Sequence, residues 1–352
     1  MKFALIEIGG SHDECLYSQL LFLNGEANET HLICSENLKK QVSDFEYFEA
    51  KYFFDFQTSK WKRVRSIYRL WKQIRKEKYD IVIFNTAQGS VLRSLLLLPY
   101  AKYTNFVGVM HNAHKLFKSS SQKIISRRIK KYFVLNDYVT TIQERLPQLK
   151  IASFYPIFFP KFKSVAIDKP TDETWICIPG QLQKKRRDYK GLIDSLSAES
   201  IPDTIRFLLL GRCTKENECA EIKEKIEKKG LSKNFVFWDK FIPNDLFYSY
   251  IQKSDYIMPL VSAENEPAYL THKISGSFNL AFAYKKPLLM EERFQHIEDF
   301  KENALFYKYT TLTEVLKNLD KELSKKSIYQ NNKWSLSYQQ HKYLEFVKDK
   351  ID

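Results

Sequence analysis

Short apolar runs alternate along this chain with longer stretches in which apolar positions recur at helical spacing. Residues 3–8, 31–35, 80–86, 105–110, 132–135 and 151–156 read as buried strands. Residues 11–23, 60–79, 88–98 and 119–131 read as helices. The first of these opens with Ser11 and Glu14 in capping-box spacing, and Pro99 stops the third. In 60–79, Trp61, Val64, Ile67, Tyr68, Trp71 and Ile74 form one stripe, expected to pack on the sheet. A polar stretch at 161–174, with Pro170 and no periodicity, reads as a linker. The rhythm then restarts. Strands are expected at 175–178, 206–210, 235–238, 256–259 and 287–290. Helices are expected at 189–197, 216–229, 244–253 and 273–284, and in two pieces from Leu312. Gly230 is placed to close the 216–229 helix.

Two successive series of alternating strands and helices imply an α/β chain with two Rossmann-like, doubly wound parallel-sheet domains. The first is expected at 1–165 and the second at 166–330, with a terminal helix at 331–352. Ligands of such sheets bind outside the carboxyl ends of the strands, so chemistry is sought in the residues just after each strand.

Charge sharpens this picture. The net charge is +14, and residues 1–165 hold 26 Lys and Arg against 14 Asp and Glu, nearly all of the excess. Much of it lies in two runs. Residues 60–79 carry nine cations with Glu77 as the single acid, and 115–131 add Lys115, Lys118, Lys123, Arg127, Arg128, Lys130 and Lys131. Such asymmetry points to an anionic partner, a membrane surface or a nucleic acid. No apolar run reaches the roughly 18 residues of a membrane span, and Glu7 interrupts any leader-like core. Five scattered Cys suggest reduced thiols in a cytoplasmic protein rather than a disulfide framework or a zinc site.

The second half carries more specific motifs. Gly180-Gln181-Leu182, the basic cluster that follows and Lys190-Gly191-Leu192-Ile193 resemble a segment of GT-B glycosyltransferases. The strand at 206–211 ending in Gly211, the run at 241–259 and the turn at 281–288 resemble further parts of that fold. The likeness spans 175–290 and implies two domains facing a cleft, with a terminal helix crossing back to the first domain. It is nearest to the retaining family four, with a departure. Glu264 and Glu266 lie in the expected loop, but Leu280 stands where that family has a second Glu. Retention or inversion at the sugar carbon is therefore open.

The resemblance implies a nucleotide-sugar donor, UDP- or GDP-linked, as substrate, with no separate cofactor and no bound metal. Ser275, Gly276 and Ser277 would offer amides to the diphosphate, with Lys273 as charge partner. Arg187 or Lys190 would offset the leaving-group charge. Gly180, Gly211 and Arg212 would border the base or ribose, and Glu264 or Glu266 could bind hydroxyls. In the first half, Gly9 and Gly10 form the glycine loop and His111 would face the donor sugar, with Asp13 or His12 as base for an acceptor hydroxyl.

The expected activity is transfer of a sugar to a glycan or lipid-linked acceptor, as in bacterial surface polysaccharide synthesis. It would be a hexosyl transfer on the inner face of the membrane, with the basic half docked on anionic lipid. A nucleotide-sugar epimerase of the same fold is the enzymatic alternative. A basic nucleic-acid-binding protein is the non-catalytic one, for which no recognition motif is found.

Overall fold

The structure, a computed structural model, describes the chain except for residues 102–103, 214–217, 263, 265, 324–326 and 350–352. It divides into two compact units. The first comprises Met1–Pro160, His272–Ile274 and Asn332–Asp352, and the second Lys161–Thr271 and Ser275–Asn331.

In the first unit, seven described strands are β1 (Lys2–Glu7), β2 (Glu29–Ser35), β3 (Ala50–Phe54), β4 (Ile81–Phe84), β5 (Asn105–Met110), β6 (Lys131–Val134) and β7 (Lys150–Ser153). All pair in parallel, in the order β3-β2-β1-β4-β5-β6-β7. Helices α1 (Leu16–Leu23), α2 (Lys60–Glu77), α3 (Ser90–Leu96), α4 (Lys115–Lys118) and α5 (Ser120–Ile125) connect them. Leu70, Ile74, Leu92, Leu95 and Ile125 seal one face against Val82, Phe84 and Val134. Leu16, Leu20 and the terminal helix Leu336–Lys348 cover the other. There Tyr343 stacks on Phe133 at 4.5 Å and its hydroxyl donates to Gln19.

The second unit holds β8 (Thr174–Pro179), β9 (Ile205–Arg212), β10 (Phe235–Trp238), β11 (Tyr256–Ile257), β12 (Leu288–Glu291) and β13 (Ala304–Tyr307). Their order is β10-β9-β8-β11-β12-β13, again all parallel. Helices α6 (Tyr189–Asp194), α7 (Cys219–Lys228), α8 (Asn244–Lys253) and α9 (Gly276–Ala283) pack on it. The segment read as a linker lies against α8: Phe162 stacks on Tyr248 at 4.0 Å and the Lys163 amide donates to Asp245.

Both sheets are thus doubly wound, and in each the strand order reverses beside the first strand. The crevices at these switch points, between β1 and β4 and between β8 and β11, are where such sheets bind ligands.

Four sequence expectations need correction. Ser11 and Glu14 form no capping box: His12 precedes a 3-10 turn, Asp13–Cys15, and Glu14 bonds the His12 ring instead. Lys131 is not on a basic helix but in β6, buried, donating to the carbonyls of Val347 and Asp349. Cys213 and Cys219 are joined as a disulfide, while Cys15, Cys34 and Cys177 are free and buried. Last, α2 does not bury the whole apolar stripe. Its inward face is Ser66, Leu70 and Ile74, and Trp61, Val64 and Tyr68 lie on the opposite side. At about 100° per residue, Trp61 and Tyr68 are nearly half a turn from Leu70, and Leu70 and Ile74 fit the sheet.

Candidate functional site

At the switch point of the second unit, β8 runs into Gly180, whose φ of +104° suits glycine alone. A Cβ there would come within 2.7 Å of Arg187 Nη2, and one on Gly211 within 2.2 Å of the Gly180 carbonyl. The two glycines let the ends of β8 and β9 close around the Arg187 guanidinium. That side chain is only 9% exposed. Its Nη1 donates to the Gln181 carbonyl at 2.9 Å, and its Nη2 to the Pro179 carbonyl. Nη2 also lies 3.5 Å from Ser277 Oγ, while Nε is buried without a partner among the described residues. The Arg187 backbone bridges to Val261, just beyond β11. Among the described residues, Arg187 has no carboxylate partner. An arginine cannot shed its proton, so the crevice holds a buried positive charge with no counterion among the described residues.

Helix α9 begins beside this charge. Ser275 caps it, its Oγ accepting from the Ser277 amide at 3.4 Å, and Ser277 Oγ lies 3.4 Å from the Pro179 carbonyl. A Cβ at Gly276 would meet nothing within 4 Å, so the first turn is open to close approach. Free amides and the positive end of the helix dipole favour an anion there. Arg187, Lys190, Ser262 and Glu264 border a cavity of about 550 Å³.

The other expected residues fall at its rim or away from it. Lys190 is exposed on α6 and pairs with Asp194 at 3.2 Å. Arg212, at the exposed end of β9, is in register with Trp238. Glu266 precedes the short turn Pro267–Leu270, its amide donating to the Ser262 carbonyl. Lys273 belongs to the first unit by its backbone: it bridges to Asn112, and its carbonyl accepts from the Tyr138 hydroxyl. The cluster built around Arg187 within the second unit therefore consists of Gly180, Gly211, Ser275, Gly276 and Ser277.

A second cluster occupies the switch point of the first unit. Glu7 ends β1 and is buried. Its Oε1 accepts from the Gly9 amide at 2.5 Å, and its Oε2 from Asn85 Nδ2 and Thr86 Oγ1, both at 2.6 Å. Gly9 leaves room for that carboxylate, and Gly10 packs by Asn37 and Gln57. The Asn85 carbonyl accepts from His111 Nε2 at 2.7 Å. A carbonyl only accepts, so the His111 proton sits on Nε2 and Nδ1 carries the lone pair. The rings of His12 and His111 stack with centroids 3.7 Å apart. Burial, and then the neighbouring His12 charge, push His111 down to about 3, so it is neutral at ordinary pH. Burial also disfavours the His12 cation, but the Glu14 hydrogen bond and the charges of Glu14, Glu7 and Asp13 outweigh it, and its pKa rises. His12 Nδ1 donates to Glu14 Oε1 at 3.3 Å, which fixes the tautomer and leaves Nε2 for proton transfer. Asp13 is half-buried, and burial together with Glu14 raises its carboxyl above the usual range.

Beside Thr86 and Gly9 lies a cavity of about 320 Å³, with Phe56 and Val91 as apolar wall and Arg63, Gln88 and Ser90 as polar lining. Gln88 Oε1 is buried there without a donor among the described residues. Arg63 donates through Nε to the Phe56 carbonyl. Sequence reasoning missed Glu7, Asn85, Arg63 and Gln88. Glu7 had a signal, a carboxylate closing an apolar strand just before Gly9 and Gly10. Among the described residues, no group of three or more His, Cys, Asp or Glu is placed to hold a metal ion.

No protein-family model matches the chain, and no curated protein sequence matches it. Solved structures do. A glycosyltransferase from Rickettsia africae is similar with a TM-score of 0.66 and 15% identity, over 99% of this chain and 98% of that one. The Anabaena protein Alr3699/HepE, solved in complex with UDP, gives 0.64 and 12% over 99% and 96%. The UDP-GlcNAc 2-epimerase from Methanocaldococcus jannaschii gives 0.63 and 12% over 99% of both chains. With the two parallel, doubly wound sheets already described, these likenesses identify the fold of this chain as GT-B.

Proposed function

We propose that this protein is a glycosyltransferase that moves a hexosyl group from a UDP- or GDP-linked donor to a glycan or lipid-linked acceptor, without a metal ion. The observation that carries the reading is the buried Arg187 cation, without a carboxylate partner among the described residues, beside the open first turn of α9. A diphosphate supplies the missing counterion. Ser275, Gly276 and Ser277 offer it amides, and Glu264 or Glu266 a partner for hydroxyls. As the bond from the sugar carbon to the diphosphate breaks, its electron pair leaves with the phosphate oxygen. Arg187 and the helix end stabilise that charge.

In the first unit, His12 accepts the proton of the attacking acceptor hydroxyl through Nε2, held by Glu14, while the new bond forms at the sugar carbon. Neutral His111 steadies the ring by stacking and offers Nδ1 to a sugar hydroxyl. Asp13 is the alternative base. Gln88 Oε1 and Arg63 would bind the acceptor in the smaller cavity, the first taking a hydroxyl and the second an anionic group. The setting we propose is the cytoplasmic face of an anionic membrane, in the synthesis of bacterial surface polysaccharide.

The His12, Asp13, Glu14 and His111 cluster could also move a proton on a sugar carbon, which favours epimerisation as the second reading. The first test is calorimetric titration with UDP and GDP. Binding that persists in EDTA supports the donor site. Failure to bind either nucleotide, or loss of binding on chelation, refutes the reading as stated.

A further inference from the structure

The outward face of α2 is unusual for a surface helix. Trp61 is 86% exposed, Val64 60% and Tyr68 48%, at positions i, i+3 and i+7 of one face. Leu70 and Ile74 already satisfy the sheet, so this second apolar row is unused by the fold. Arg65, Lys72 and Arg75 flank the row, and none of the three has a carboxylate partner among the described residues. Lys72 instead sits over the Tyr68 ring at 4.9 Å and Arg75 over the Trp71 ring at 4.9 Å. Trp71, beside Tyr68 on the same helix, is held by its Nε1 donating to the Pro99 carbonyl.

Large apolar side chains ringed by cations have two requirements that water does not meet together. The rings need an apolar phase within a few ångströms, and the cations need anions at its edge. An anionic bilayer surface supplies both, with acyl chains just below a layer of phosphates. Trp and Tyr favour that boundary because each has an apolar body and a polar tip. A nucleic acid would satisfy the charges and could stack the rings, but it offers nothing to Val64. A second copy of this chain would bring the same unpaired cations against one another.

We infer that α2 lies in the plane of an anionic membrane, with Trp61, Val64 and Tyr68 inserted at the headgroup boundary and Arg65, Lys72 and Arg75 on lipid phosphates. This deepens the membrane part of the proposed function and does not depend on glycosyl transfer. It also differs from docking by charge alone, because the aromatic row penetrates. Since Lys131 is buried, it takes no part.

The test uses the full chain and vesicles of phosphatidylcholine with or without phosphatidylglycerol at about one lipid in three. Binding should require the anionic lipid and fall at least roughly tenfold when salt is raised from about 0.05 to 0.5 M. Phosphatidylglycerol brominated on the upper acyl chain should quench tryptophan fluorescence, and Trp61→Phe should remove most of that quenching while leaving sedimentation nearly intact. Trp61→Ser with Tyr68→Ser should weaken sedimentation at least about tenfold without changing the melting temperature, since both side chains are exposed. Binding without quenching of Trp61, equal binding to neutral vesicles, or no binding overturns the inference. So does a dimer in solution that Trp61→Ser dissolves, or a preference for random RNA over anionic vesicles. A chain that binds nucleotide and transfers sugar but ignores vesicles overturns this inference alone. A chain that binds vesicles but no nucleotide overturns the transferase reading alone.

Discussion

Arg187→Gln isolates the charge on which the donor site rests. Glutamine keeps a single donor nitrogen, which reaches the Pro179 or the Gln181 carbonyl in place of the two guanidinium nitrogens that serve both, and carries no charge. Two effects on the unliganded fold then oppose each other. A carbonyl left unpaired costs roughly 1–3 kcal/mol. Removing a buried cation that has no counterion among the described residues relieves a desolvation penalty of several kcal/mol. The melting temperature should therefore stay within about 3 °C of wild type or rise. Diphosphate binding responds differently. A hydrogen bond between charged groups contributes about 1.5–3 kcal/mol, so UDP or GDP affinity should fall on the order of 10- to 150-fold. Calorimetry gives the affinity and differential scanning calorimetry the stability. Weakened binding with preserved stability is the signature of a ligand-facing charge. A dissociation constant within about threefold of wild type would refute the reasoning, because a phosphate at this crevice cannot ignore the loss of that charge. Collapse of the fold would also refute it, by showing that Arg187 serves the β8 and β11 loops rather than a ligand.

Three further outcomes follow from the first unit. His12→Gln should bind nucleotide normally and lose transfer; wild-type turnover should rise with pH through a pKa above that of free histidine, and no such limb should remain in the variant. His111 is held near 3 in the fold against 6.5 when free, so its contribution to stability is full above the free value and is lost as pH falls from 6.5 towards 3. Urea denaturation across that window should show a steeper acid loss for wild type than for His111→Gln. Tyr343→Ala removes a buried ring stacked on Phe133 and should destabilise the first unit by about 3–5 kcal/mol, read as a lower urea midpoint.

Most of the strand positions were legible because buried parallel strands read as apolar runs, and 105–110, 235–238 and 244–253 match their elements end to end. Two strands escaped. β3 is an edge strand with four half-buried residues of five, and β13 is an edge strand of the second sheet. The glycines at the strand ends were readable because they follow from local chain geometry, whereas α9, expected from 273, begins at Gly276 after the Ser275 cap. Local pattern could not choose between Arg187 and Lys190. The first is drawn under β8 by carbonyls at 179 and 181, while the second points to solvent on α6. The stacking of His12 on His111 joins residues nearly a hundred positions apart and leaves no mark in spacing. The same holds for the Glu7–Asn85 pair. The Cys213–Cys219 pair was misread because a spacing of six has no diagnostic value; the end of β9 and the start of α7 bring the Cα atoms to 5.4 Å. For α2, periodicity registered an apolar stripe but not that the helix carries two apolar faces and buries only one.

Glycosyl transfer itself is tested most directly by following the sugar. The protein is incubated with UDP- and GDP-sugars labelled with carbon-13 in the sugar and with a membrane-lipid extract as acceptor, in the presence of EDTA, and products are resolved by mass spectrometry. The account predicts label in a heavier lipid- or glycan-linked product, with one unlabelled nucleoside diphosphate released per sugar moved, and neither in the Arg187→Gln or His12→Gln variant beyond a small residue. Label that stays entirely on the nucleotide in a rearranged sugar would contradict it and establish epimerisation instead.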